Sequence, residues 1–463
     1  MWLLLLVPVM IIAIISWLHN RRNPLSRTIL ISILMGVGYW YVLPGVIFFK
    51  SVEIQGADSN LLQFDNHILH AIWLVFFSLA LLLIIPAAMR KIHVLRTYMQ
   101  QHELNAFNER RLSLFLYFTF ISAVALLVFR FADMGPIFAL NLLMGHSTAR
   151  AAMSFENISG DIGNSLMALW EILTVFASIF LTAIFTWLRQ TLSMRFLIAC
   201  ASNVFVFASS GTRAVLLLMA ISVVISLMSR PRIVFPHRTK THILRLSRKL
   251  LTALLLGGLV VVSALVMMAR FENDTSQAGR ILLNSVVFHN DMFRELLFSI
   301  VHGEHYRSDG LSLLQTPLNF AMPSFMGFEK SIPPHLIDFN YDRAGIDLLY
   351  GVGNVFPGII ADMYLCFDEF GPLVFAVQSA IFIYIFWFVT LRRNHSAIAS
   401  ALFVALLAYY VISFRNLQGS LAIVVIVSYI LVSLFSQLKP LRLVVSASLP
   451  TIQSSSSSSH TES

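Results

Sequence analysis

The chain puts an arginine where two apolar runs meet. In SSGTRAVLLLM, residues 209–219, Arg213 stands between FLIACASNVFVFA and VLLLMAISVVISLM, flanked by spans too short for an ordinary bilayer crossing. A guanidinium at membrane depth is costly unless it is paired, which makes it a functional-site candidate by default. Gly211 allows a tight turn there, and helix ends meeting at the turn add backbone N–H donors for an anion. An ordinary hairpin with an interfacial arginine is the competing reading. Tracing the chain through its spans puts Arg130, Arg150, Arg213, Arg270, Arg280, Arg294, Arg307, Arg343 and Arg415 outside or at the outer edge, against Lys50 and Lys330. A planar fork that matches two phosphate oxygens and keeps its charge near lipid suits a phosphate better than a lysine point charge. Arg130 and Arg270, at the ends of spans, read as snorkelling to headgroups. Arg415, in SFRNLQGS, is the second anion candidate, with a headgroup-anchored loop as its alternative.

A large outer segment supplies titratable groups, among them His289, Asp291, Arg294, Glu295, Asp342, Arg343 and His335 after two prolines. Glycosyl or phosphoryl transfer needs a base for an acceptor hydroxyl and cations for a leaving phosphate. His335 and Asp342 are the candidate bases, with Arg343 beside them. No metal is expected. HGEHYRSD sets His302 and His305 three apart rather than four, and DFNYDRAGIDLL has Arg343 and Leu349 where a calcium loop has glycine and glutamate. Phosphate-binding loop, nucleophile elbow and dinucleotide fingerprint are all missing, so no nucleotide or other cofactor is expected.

These residues need a membrane scaffold to position them. The chain is 57% hydrophobic and 12% charged, which together with its long apolar runs predicts an all-α, polytopic integral membrane protein. Eleven spans are expected, at 1–18, 28–49, 68–89, 112–130, 165–188, 196–209, 214–229, 250–269, 371–390, 397–414 and 420–437. The organisation is then 1–269 for spans one to eight, 270–370 for a large periplasmic loop, 371–437 for the last three spans and 438–463 for a Ser-rich disordered tail. With the first helix retained and starting outside, 21 of 32 Lys and Arg fall inside, the asymmetry the positive-inside rule demands. By the same tracing 19 of 23 acidic residues fall outside, and Glu171 is the acid assigned to a span, near its outer end. The formal net charge of +9 therefore records topology rather than a nucleic-acid footprint. The basic segment 230–249 sets orientation or touches anionic headgroups. Cys200 and Cys366 make no disulfide framework. Within the large loop, NSVVFHNDMFRELLFSIVH and NVFPGIIADMYLCFDEFGP are amphipathic runs suited to the membrane interface.

On SSGTRAVLLL, on the element YLCFDEFGPLVF closing the large outer loop, and on the arginine-bearing hairpin FRNLQGSL, the chain resembles the Wzy-type polymerases of oligosaccharide repeat units. That resemblance implies transfer of a growing glycan from undecaprenyl pyrophosphate to an incoming lipid-linked repeat unit at the periplasmic face of the bacterial inner membrane, for O-antigen or exopolysaccharide. The pyrophosphate leaving group supplies the energy. Arg213 would hold pyrophosphate, assisted by Arg415 and by Arg280, Arg294 or Arg343, and a loop His or Asp would take the acceptor proton. The implied partners are the lipid-linked glycans, the bilayer, and a chain-length regulator and flippase of the same pathway, with no nucleic acid. An O-antigen ligase with a different acceptor, a transporter or flippase of lipid-linked oligosaccharide, and a non-catalytic membrane scaffold are the alternatives.

Overall fold

A computed structural model describes residues 10–18, 24–45, 65–91, 106–134, 162–188, 193–210, 214–229, 292–302, 307, 358–392, 396–414 and 420–436. Among them all regular structure is helical. The helices are α1 (10–18), α2 (Pro24–Val37), α3 (Asp65–Lys91), α4 (Ala106–Met134), α5 (Ile162–Trp187), α6 (Met194–Ser210), α7 (Ala214–Ser229), α8 (Met292–His302), α9 (Ile359–Phe367), α10 (Gly371–Val389), α11 (Ala397–Ser413) and α12 (Ser420–Ser436). Five stretches are long and apolar enough to cross a membrane: Leu25–Gly45, Asn66–Met89, Glu109–Phe129, Leu169–Trp187 and Ile359–Val389. Helices α6, α7, α11 and α12 are apolar but shorter. The expected span at 250–269 and the Ser-rich tail lie outside the described residues.

The bundle is organised around α11. Its sequence, AIASALFVALLAYYVIS, is apolar on every side, and all 17 of its residues are buried. A helix without a polar face has to be surrounded, and α2, α5, α7, α10 and α12 all pack on it. The Ser396 side chain starts it by accepting a hydrogen bond from Ala399 N at 3.2 Å. Close approach to α2 is possible because Gly36 faces the Phe414 ring, leaving no room for a Cβ.

Many hydroxyls inside the bundle are satisfied locally, while buried Ser78, Ser226 and Ser400 Oγ and Trp187 Nε1 have no hydrogen-bond partner among the described residues. Ser32, Thr119, Thr182, Thr186, Ser202 and Ser428 each donate to the carbonyl one turn back, at 2.7–2.9 Å. This keeps hydroxyls tolerable where no water competes. Pro86 inside α3 removes a backbone donor, and its own carbonyl accepts from Ser26 Oγ at 3.2 Å.

The helix ends separate into two sets. At one end, arginines meet helix C-termini: Arg27 donates to Ser229 O at 3.0 Å and Arg111 to Leu434 O at 3.1 Å, favourable against the negative end of each helix dipole. Arg195 pairs with Glu109 at 2.5 Å, and the Arg392 guanidinium lies 4.5 Å from the Phe388 ring centroid, at the same end. The opposite end holds the α8–α9 pair.

The two amphipathic runs within 270–370, expected at the membrane interface, contribute helices that are largely buried. Met292, Phe293, Glu295, Leu296, Leu297 and Ser299 of α8 are buried, and α8 packs on α3, α9 and the π-turn Gly38–Val42 that extends α2. In α9, Ile359, Ile360, Ala361, Asp362, Met363 and Leu365 are buried as well. Helical structure also begins at Ile359, not at 371: a 3₁₀ turn, Asp368–Phe370, joins α9 to α10. Three acidic residues, Asp362, Asp368 and Glu369, lower the hydropathy of this stretch and disguise it as loop. Asp368 at the joint takes φ 50°, outside the usual range for a residue with a side chain, and pairs with Arg307 at 3.1 Å.

Replacing Gly36 by alanine tests the packing around α11. Phe414 is fully buried and has nowhere to retreat, so Gly36→Ala is expected to lower stability by about 1–3 kcal/mol, read as a drop in the thermal unfolding midpoint in detergent micelles.

Candidate functional site

Three independent contacts set the heights of the helices relative to α5. Ser178 Oγ donates to Asn203 Oδ1 at 3.0 Å, aligning α5 with the antiparallel α6. Seven residues back along α5 is Glu171, and seven on along α6 is Ser210, its last residue. The Phe176 and Tyr409 rings meet edge to face, with centroids 5.6 Å apart, which aligns α5 with the antiparallel α11. Five residues back is again Glu171, and five on is Phe414. Across α4 and α5, Ser122 and Thr174 hydroxyls lie 2.8 Å apart and Trp170 Nε1 donates to Ser122 Oγ at 2.7 Å. By that register Glu171 stands level with Ala125.

Glu171, the end of α6 and the end of α11 therefore share one height. Helix α7 joins them: it packs on both α5 and α6 and begins at Ala214, four residues after Ser210. Helices α4 and α5 continue past this level by nine residues each, to Met134 and Ile162, roughly 13 Å at 1.5 Å per residue. The described helices thus form a step, with short helices as its tread and long ones as its riser. On this step Glu171 is half-buried, and its carboxylate lies within electrostatic reach of the buried Tyr409 hydroxyl.

Beside the step a second junction ties α2, α9 and α11. Trp40 Nε1 donates to Val411 O at 2.9 Å, Ile359 N to Phe414 O at 3.1 Å, and Ile360 N to Tyr41 Oη at 3.0 Å. The last two satisfy first-turn N–H groups of α9 that have no partner within the helix. The π-turn makes this possible by presenting Trp40 and Tyr41 together, both buried. Such turns concentrate at functional places in helices. Gly358, at φ 82° and ψ 156°, enters α9 through a backbone region that essentially only glycine occupies. Its missing Cβ would fall 2.6 Å from Met292 Sδ and 2.7 Å from Tyr41 Oη.

Of the residues singled out in the sequence, Arg294 is described: it is exposed on α8, beside the buried Glu295. Arg213, Arg280, Arg343, Arg415, His335 and Asp342 lie outside the described residues. The last described residues before Arg213 and Arg415 are Ser210 and Phe414, both at the height of the step. No group of three His, Cys, Asp or Glu that could hold a metal occurs among the described residues. Sequence reasoning gave no role to Glu171, Tyr41 or Tyr409. For Glu171 the signal was present, an acid inside an apolar span; for the tyrosines only the three-dimensional register brings the groups together. Comparison with family models, curated proteins and solved structures finds no match for this chain.

At Gly358, alanine is strained by backbone conformation and crowded by Tyr41 and Met292 together. Gly358→Ala is expected to cost about 1–3 kcal/mol and to open the Ile360–Tyr41 bond, seen as faster hydrogen exchange across residues 359–362 than in the parent protein.

Proposed function

We propose that this protein is a membrane glycosyltransferase that polymerises undecaprenyl-pyrophosphate-linked repeat units on the outer face of the bacterial inner membrane. The observation that carries the reading is the step: the helices leading into Arg213 and Arg415 end at one height, and a carboxylate stands at the same height. Guanidiniums held close to those helix ends would suit a lipid pyrophosphate, whose charge enters at headgroup depth while its chain stays in the bilayer. Arg213 and Arg415 bind pyrophosphate on this reading, and Arg280, Arg294 and Arg343 approach from the outer segment that also bears His335 and Asp342.

The distribution of charge supports a transferase over a transporter. Among the described spans, Glu171 lies nine residues into α5, Asp368 and Glu369 sit at the 3₁₀ joint within Ile359–Val389, and the remaining Asp, Glu, Lys and Arg side chains lie near helix ends. Interior positions carry hydroxyls and the Asn203 amide, whose Nδ2 donates to Thr182 Oγ1 at 3.0 Å and Ala199 O at 2.8 Å. A proton- or ion-coupled transporter uses ionisable groups or broken helices near the midplane; hydroxyls bonded to their own helices act as packing groups.

Topology completes the proposal. The chain leaves the described bundle at Ser229, at the Arg27 end, and returns at Met292, at the α8–α9 end. That supports assigning a crossing to 250–269 and eleven spans in all, with the Arg27 end cytoplasmic, the N-terminus outside and the C-terminus inside.

The test uses purified protein in detergent with undecaprenyl-pyrophosphate-linked repeat units and no added nucleotide or metal, resolving products on a gel. Wild type is expected to give a ladder, and Arg213→Ala to lose about 100-fold or more in rate, with Arg213→Lys recovering little because it lacks the fork. A single transfer onto a different lipid-linked acceptor, without a ladder, would make the protein a ligase of the same chemistry. No transfer at all by folded wild type would reject the transferase reading.

A further inference from the structure

At the α8–α9 end of the described bundle, Asp368 and Glu369 are exposed at the 3₁₀ joint, where Asp368 pairs with Arg307 at 3.1 Å, while Glu171, Glu295 and Asp362 lie within α-helices. Glu295 and Asp362 are 7% and 8% exposed and belong to the packed α8–α9 junction, where Asp362 lies within electrostatic reach of Tyr41. They are too enclosed to meet a sugar. Glu171 differs in each respect. It is half-buried, it lies nine residues into a long apolar helix rather than in a terminal turn, and it occupies the height at which α6 and α11 stop. An acid at such depth in a span is expensive and persists where it is used. Its neighbours narrow the use. Trp170, adjoining it in sequence, is held by Ser122 at 2.7 Å, and Thr174, one turn on, by the same hydroxyl at 2.8 Å. On the α11 side stands Tyr409, itself braced by Phe176. The backbone that carries Glu171 is thus fixed on both flanks at the height of the step, and its carboxylate lies within electrostatic reach of the Tyr409 hydroxyl, the fixed placement a proton acceptor needs to stay in register with a substrate.

We propose that Glu171 is the general base of the transfer, a catalytic residue contributed by the membrane helices and not by the outer loop. The inference rests on the glycosyltransferase reading and replaces His335 and Asp342 in the role of base. In the step, a hydroxyl oxygen of the acceptor sugar attacks the anomeric carbon of the donor glycan. The anomeric carbon–oxygen bond to pyrophosphate breaks, and its electron pair leaves with undecaprenyl pyrophosphate. The acceptor's proton passes to the Glu171 carboxylate and from there to water. Glu171 therefore belongs on the acceptor side, away from the leaving pyrophosphate that its charge would repel.

The experiment compares wild type, Glu171→Gln, Glu171→Ala, His335→Ala and Asp342→Asn. Turnover is measured with lipid-linked repeat units purified from a bacterial strain lacking this protein, and binding with undecaprenyl pyrophosphate alone. Glu171→Gln keeps the shape and removes the basicity, so turnover is expected to fall about 100-fold or more, with undecaprenyl pyrophosphate affinity within about threefold of wild type. Formate should restore part of the turnover of Glu171→Ala, since a small carboxylate can occupy the vacated space; this arm decides the matter even where Glu171→Gln folds poorly. Turnover by Glu171→Gln above about a tenth of wild type, or a comparable loss confined to His335→Ala or Asp342→Asn, overturns the proposal while leaving the transferase intact. A large loss of undecaprenyl pyrophosphate affinity in Glu171→Gln also overturns it, making the residue a counter-charge for the arginines. Folded wild type that transfers nothing overturns both this inference and the reading beneath it.

Discussion

The burial of α11 on every side is the constraint from which the rest of the arrangement follows. A 17-residue helix of alanine, leucine, aromatic and hydroxyl residues offers no polar face to solvent, so neighbours have to close around it. Those neighbours then acquire fixed heights, because its larger side chains interlock at particular levels: Tyr409 on Phe176, Tyr410 on Ser379 and Phe386, Phe414 on Phe375 and Gly36. Close packing of this kind does not slide continuously, since a shift of one residue would misplace each of these contacts. The step at the α8–α9 end is a by-product of this locking. Helices of 16 and 17 residues are held level at one end with neighbours of 26 to 29, and the difference in length has to appear at the other.

Much of this was legible in the sequence. Apolar runs located the helices because an eighteen-residue run without charge has few other uses, and α6 and α7 begin and end within two residues of the expected 196–209 and 214–229. At one end of the bundle arginines serve the helices directly, as Arg27 and Arg111 do by closing the C-termini of α7 and α12. Residue type sufficed for these features because each depends on local hydropathy or on a single charge.

The rest was hidden for reasons that differ from place to place. Helix α9 has the sequence of an interfacial loop element because Asp362, Asp368 and Glu369 break its hydropathy; a buried Asp362 near a tyrosine hydroxyl is invisible to any window average. The π-turn at Gly38–Val42 depends on bonds to partners more than 300 residues away, Val411 and Ile360. Gly36 and Gly358 look interchangeable with other glycines until the Phe414 ring and the Met292 thioether are set against them. Glu171 is the instructive case: its oddity was plain in the sequence, but its height relative to Ser210 and Phe414 exists only once three helices are in register.

Depth decides what a polar group in this bundle can do. Many hydroxyls at mid-height are consumed by their own helices, as in the Ser178, Thr182 and Thr186 series along α5, and there they act as packing groups. Asn203 extends the same economy across two helices, exchanging bonds with Ser178 and Thr182. An ionised group cannot be satisfied so cheaply, because a carboxylate has about four lone-pair sites to fill and loses far more than a hydroxyl on leaving water. It is therefore tolerated where the short helices stop and polar segments begin, which is the height of Glu171.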